Sequence, residues 1–281
     1  MTTVSREFAV GSGAALHVKI QSGRVDVTEG RAGVISLEVD TRDPDMVEIH
    51  QSGDTVFVSD NRSGWVVRGS VRITAAVPPR SDLEVGSASA DVQADAELRN
   101  LICRTASGDV SFRTVDTLEV KTASGSIRGE RVDSDMRVNS ASGDVFVERV
   151  GGRLTAALAS GDVRVDQVGG DLRANSASGD VRVEKFRGDE VTIKSVSGDL
   201  VIGFPEGITL DAEVNTLSGS VRLPPPAPPR PPEPLSAPDG SGLESLEPIP
   251  PLEPLRSTGR RRVRLSAKTV SGDIRISKFS D

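Results

Sequence analysis

The stretch Leu172-Arg173-Ala174-Asn175-Ser176-Ala177-Ser178-Gly179-Asp180-Val181-Arg182-Val183-Glu184 decides the fold of this chain. Leu172 and Ala174 precede the Ser-Gly-Asp triplet, Val181 and Val183 follow it, and polar residues stand between them. Apolar residues at every second position mark a strand with one buried face. A Ser-Gly-Asp triplet between two such strands reads as a corner. Gly supplies the positive φ, and Ser and Asp bond the backbone of the turn.

The phrase repeats through the chain. Corners fall at Ser107-Gly108-Asp109, Ser124-Gly125-Ser126, Ser142-Gly143-Asp144, Ser160-Gly161-Asp162, Ser178-Gly179-Asp180, Ser197-Gly198-Asp199, Ser218-Gly219-Ser220 and Ser271-Gly272-Asp273. Ser89-Ala90-Asp91 is a degenerate first copy, and from Ser89 the spacings are 18, 17, 18, 18, 18, 19, 21 and 53 residues. A repeat of this length, with a second and often Gly-rich turn such as Val150-Gly151-Gly152, predicts coils of strand, corner, strand and turn. Equivalent strands stack in register at about 4.8 Å and form two parallel sheets across a thin core. One inward column is Val110, Ile127, Val145, Val163, Val181, Leu200, Val221 and Ile274. Cys103 falls in another, with Val120, Val138, Ala156, Ala174 and Ile193, as a buried structural thiol. A lone coil buries too little apolar surface to offset its own ordering, so the units must stack.

The fold class is therefore all-β, a parallel β-solenoid (β-helix) with coils of about 18 residues, in four parts. Residues 1–80 form an irregular N-terminal β cap, in which Ser22-Gly23 and Ser52-Gly53-Asp54 read as eroded corners and Trp65 suits a cap position. Residues 81–223 are the regular coils, and 259–281 give the final coil. Residues 224–258 hold 13 of the 17 prolines and read as a disordered or polyproline insertion, since proline cannot donate to a ladder. Removing that insertion from the 53-residue gap leaves one ordinary coil, so the chain is expected to leave the stack after Leu223 and return to add a last coil.

Composition narrows function. The net charge is −7 and no basic face is apparent, so nucleic acid is not an expected partner. One cysteine allows no intramolecular disulfide. The N-terminal residues carry no apolar signal core and no window reaches the length of a membrane span, which leads to a cytoplasmic expectation. The two histidines, His17 and His50, lie outside the regular coils, and no nucleophile, base and orienting acid share a motif. No catalytic, cofactor-binding or metal residues are expected, and no cofactor. Stacked corner carboxylates suggest calcium. One Asp per coil, replaced by Ser126 and Ser220 in two copies, falls short of six to eight oxygens, so bonding of the turn backbone is the expected role. Outward positions give rows of acid, base and acid: the corner Asp, then Arg164, Arg182 and Arg275, then Glu148, Asp166 and Glu184.

The phrase Ala-Ser-Gly-Asp-Val-Arg-Val-Glu of residues 177–184, with Leu172 to Ser176 upstream and Val77-Pro78-Pro79 before the first clean coil, resembles the bacterial putative-adhesin family of β-strand-repeat domains of unknown function. The resemblance covers residues 80–223 and the last coil, and residues 1–80 more loosely. It implies a right-handed β-solenoid, an adhesion or envelope-linked role and no catalytic residues. The expected function is a non-catalytic scaffold or adhesin-like binding module presenting flat charged faces. A cytoplasmic self-assembling polymer similar to bactofilins is the alternative, and a glycan-processing β-helix enzyme is a third. Expected partners are a protein or cell-envelope component, with the Pro-rich loop 224–258 as one point of contact, and a second copy of the chain as a homo-oligomer.

Overall fold

The computed structural model describes residues 2–60, 70–224 and 261–279. Trp65 and all of the Pro-rich insertion beyond Pro224 lie outside the described residues. What is described is almost entirely strand, with one 3₁₀ turn at Pro44–Met46.

The chain opens with β1 (Thr2–Ala9), β2 (Ala15–Glu29), β3 (Val34–Thr41), β4 (Val47–Ser52), β5 (Thr55–Asp60) and β6 (Val71–Val77). Two long bent strands follow, β7 (Ser81–Ser107) and β8 (Val110–Ser124). Short strands then alternate around the axis: β9 (Ile127–Val132), β10 (Met136–Ser142), β11 (Val145–Val150), β12 (Leu154–Ser160), β13 (Val163–Val168), β14 (Leu172–Ser178), β15 (Val181–Phe186), β16 (Glu190–Ser197) and β17 (Leu200–Pro205). The last four are β18 (Thr209–Ser218), β19 (Val221–Arg222), β20 (Arg262–Ser271) and β21 (Ile274–Phe279).

Every strand of the regular coils pairs in parallel with its equivalent one coil away. The registers match corner to corner, with Ser142 opposite Ser160 and Ser160 opposite Ser178. The first stack carries the strands before each corner (the ends of β7 and β8, then β10, β12, β14 and β16), and the second carries those after it (β9, β11, β13, β15 and β17). Between them runs one continuous core, rich in Val, Leu and Ile. Both predicted columns are buried through the middle of the molecule, Cys103 among them.

The corner glycines are needed for two reasons. Gly179 has φ +131°, and a Cβ there would meet the carbonyl oxygen of Gly161 at 2.1 Å. The second turn is as tight: a Cβ on Gly169 would lie 2.4 Å from the Gly151 oxygen. At the first two corners, Gly23 and Ala90, the strand assignment is unbroken, so β2 and β7 each run through the corner as one long bent strand.

At the ends one corner reading holds and two expectations change. Ser22-Gly23 is a true corner: it pairs with Ser89-Ala90, so β2 forms a coil inside the segment read as a cap. Ser52-Gly53-Asp54 is not a corner. It is the turn of the antiparallel hairpin β4–β5, with Gly53 at φ +59° and open space around it. The largest change concerns the C-terminal coil, which is last in the chain but not last in the stack. β20 pairs with β16 on one side and β18 on the other, and β21 lies between β17 and β19. The corner chemistry accounts for this order. Asp273 accepts the backbone N–H of Ser220 at 2.8 Å, whereas Ser220 brings no carboxylate for a coil beyond it. This order gains one such clip, although Ser126, with β8 on one side and β11 on the other, shows that a Ser corner also stacks inside the array.

Candidate functional site on the outer face of the second stack

The corner carboxylates are accounted for by the backbone. Asp162 accepts the N–H of Asp180, Asp180 that of Asp199, and Asp199 that of Asp273, each at 2.8–3.0 Å. The first corners behave alike, Asp91 serving Asp109 and Asp109 serving Ser126. Each Asp thus clips its corner to the next coil. The Ser220 N–H holds the Asp273 carboxyl below the usual carboxylate range.

Between this row and the next acidic row lies the face with the most pronounced pattern. Across the second stack, Arg128, Phe146, Arg164, Arg182, Val201 and Arg275 stand side by side in the ladder. Arg164 reaches back to corner Asp162 at 3.1 Å, and Arg182 reaches forward to Glu184 at 3.3 Å. These are exposed pairs, each contributing about 0–1 kcal/mol, so they orient the guanidinium groups more than they stabilise the fold. Phe146 is 42% exposed in the middle of this basic row. A shallow groove of ≈ 520 Å³ runs along it, bounded by Asp180 and Asp199 on one side and Asp166 and Glu184 on the other. A neighbouring groove of ≈ 410 Å³ separates the Asp166 and Glu184 row from Arg149 and Lys185. The face is a ladder of alternating sign, with one aromatic and one aliphatic residue, Val201, in its basic row.

The sequence rows of acid, base and acid are therefore present as read. Phe146, two residues after Asp144, holds the outward place that the alternation gives it and is exposed in the basic row. A second cluster was not legible at all. His50, Phe57 and His17 come from β4, β5 and β2 and stand in one row, with ring centroids 4.9 and 5.1 Å apart. His17 Nδ1 lies 3.6 Å from Glu84. The two imidazoles flank Phe57 and do not converge on a common point, so they do not form a ligand pair for one ion. Among the described residues, no group of three or more His, Cys, Asp or Glu is placed to hold a metal. Burial pushes the Cys103 thiol up to about 12, as suits a structural core residue.

The repeating coils and their charged face define a β-solenoid repeat protein. The chain belongs to the Toastrack DUF4097 family, whose sequence profile matches residues 14–229 and stops short of β20 and β21. No curated protein matches it. Among solved structures, a putative adhesin from Bacteroides fragilis NCTC 9343 is 13% identical with a TM-score of 0.42, covering 98% of this chain and 97% of its own. A putative lipid binding protein from Parabacteroides distasonis ATCC 8503 is 11% identical, also with a TM-score of 0.42, covering 99% and 95%. A putative adhesin from the same strain is 9% identical with a TM-score of 0.38, covering 98% and 97%. Among the described residues no helix is long and apolar enough to cross a membrane.

Proposed function

We propose that the protein is a non-catalytic binding module that meets its partner on the outer face of the second stack. The observation that carries this reading is Phe146, 42% exposed between Arg128 and Arg164 beside the ≈ 520 Å³ groove. An aromatic flanked by arginines, set on a rigid ladder rather than a loop, is the composition that binding hot spots favour. The rigid backbone loses little entropy on binding. The resemblance of residues 177–184 to the putative-adhesin repeats directs the search toward the cell envelope. With a cytoplasmic location, which is also a proposal, the envelope component within reach is the inner face of the membrane and the proteins on it.

The test is cosedimentation of the purified full chain with envelope fractions of its native host. Wild type should be retained, and the triple variant Phe146→Ala, Arg164→Glu, Arg182→Glu should lose at least tenfold in apparent affinity while melting like wild type. Equal retention of both proteins, or no retention of wild type, would overturn the assignment of this face.

A further inference from the structure

The end of the stack formed by β18 and β19 is unlike any other part of the surface. Among the described residues, β18 bonds β20 along one edge and no strand along the other, and β19 bonds only β21. Leu210, Ala212 and Val214 continue the fully buried row Val263, Leu265 and Ala267. Yet Ala212 is exposed, and Leu210 and Val214 are only half-buried. Val221 and Leu223 are 40% and 56% exposed, and Leu217 on the outer side is 84% exposed. A free strand edge backed by an open apolar core is a template for another strand.

We propose that a second copy of the chain covers this end, the two β18 strands pairing antiparallel about a two-fold axis at Val214. The charge pattern selects this occupant and this register. In it, Val214 faces Val214 and Ala212 faces Thr216 on the core side, while Glu213 faces Asn215 and Asp211 faces Leu217 outside. Sliding the strands by two residues one way sets Glu213 against Glu213, and by four sets Asp211 against Glu213, both of which like-charge repulsion disfavours. Sliding the other way shortens the ladder. Continuation in the same sense by a parallel coil would lack one clip, because Ser220 brings no carboxylate, as Ser126 does not inside the stack.

The area suffices. Ten residues at ~3.3 Å by two sheets with their side chains, roughly 20 Å deep, give a footprint of about 660 Å² per copy and ~1,300 Å² in total, inside the range of specific interfaces. The opposite end is built from β1 and β4, whose sequences and antiparallel pairing differ, so the contact is isologous and closes at two copies rather than growing into a filament.

Sedimentation equilibrium of the full chain at micromolar concentration should read a dimer. Val214→Arg should read a monomer with unchanged circular dichroism, and Thr3→Arg on the β1 edge should remain a dimer. On mild oxidation, Val214→Cys should cross-link to its own copy, with Cys103 buried out of reach. Leu210→Cys, whose copies would sit about 26 Å apart, should not. A monomeric wild type overturns the proposal. A ladder of larger assemblies, or equal cross-linking at both positions, overturns it too. The interface leaves the Phe146 face untouched, so the envelope-binding reading stands or falls separately.

Discussion

The two ends of the stack solve the same problem differently. At the N-terminal end the chain turns back on itself: β6 pairs in parallel with β2, then β3 and β1 add antiparallel strands, and β4 closes the first stack through its hairpin with β5. Ile35, Leu37 and Val39 are fully buried there. At the C-terminal end, among the described residues, a plain coil is left uncovered, and the same kind of inward residue is half-exposed. Among the described residues, the solenoid thus has one finished end and one unfinished end. A terminal unit protects a core only when its strands change direction or sequence; one more copy of the repeat merely moves the open edge outward.

The comparison breaks most visibly under a buried charge. Val39→Asp places an unpaired carboxylate in the finished end and is expected to cost several kcal/mol, enough to leave little folded protein at 37 °C, as read by urea unfolding. Val214→Asp at the unfinished end should shift the midpoint by no more than about 0.5 kcal/mol in a protein held monomeric by dilution. Similar costs for the two would mean that the ends do not differ.

Corner glycines sharpen the contrast between stacked coils and the hairpin turn. Gly179→Ala drives a Cβ into the Gly161 carbonyl and should cost about 3 kcal/mol or more. Gly53→Ala meets only the cost of a left-handed φ, about 1 kcal/mol, because nothing lies within 4 Å.

Acid should weaken the finished side as well. Burial works to raise the Asp82 carboxyl, but hydrogen bonds from Arg99 (2.9 Å from Nε) and Asn100 (2.8 Å) outweigh it and hold the group below its ordinary value. A carboxyl depressed in the folded state contributes stability above the unfolded value of about 3.9 and loses it as pH falls further. Unfolding free energy should therefore drop below about pH 4, and Asp82→Asn should flatten that part of the profile. A profile unchanged in Asp82→Asn would assign the acid sensitivity elsewhere.

The smallest effect is a gain. Thr122 lies in a hydroxyl column beneath the corners, and its Oγ1 is buried without a hydrogen-bond partner, as are the hydroxyls of Ser140 and Ser176. Thr105, Ser195 and Thr269 in the same column bond a corner carbonyl. Thr122→Val should stabilise by about 1 kcal/mol, measured by the midpoint of denaturant unfolding.

Most of the coil geometry was legible because a period-two pattern and a small-residue corner each have one physical meaning. Val145, Val163 and Val181 fall into a column because their corners share a register, and any sequence with that spacing would align them. The role of the corner Asp was legible for the same reason. Ser52-Gly53-Asp54 misled because a hairpin turn asks for the same residues as a corner, and only the direction of the following strand separates the two. The row His50–Phe57–His17 had no signal, since adjacency across three strands depends on pairing rather than on spacing. The outward place of Phe146 was legible from the alternation around Val145 and Val147, but the groove beside it was not, because residues of five strands line it.

By itself, the sequence determined the repeat, the inward columns, the corner chemistry and the alternating charges of the outer face. These are local: they follow from side-chain alternation and from the conformations open to Gly. Tertiary structure alone decided the order in which the coils lie. β18 and β20 carry equally good alternation, and either could have ended the stack. The choice turns on contacts made 53 residues apart, between Asp273 and the Ser220 backbone, and on which apolar row gains more from being covered on both sides. Leu265 and Ile274 are inside and Val221 is at the edge because that free energy is a property of neighbours in space.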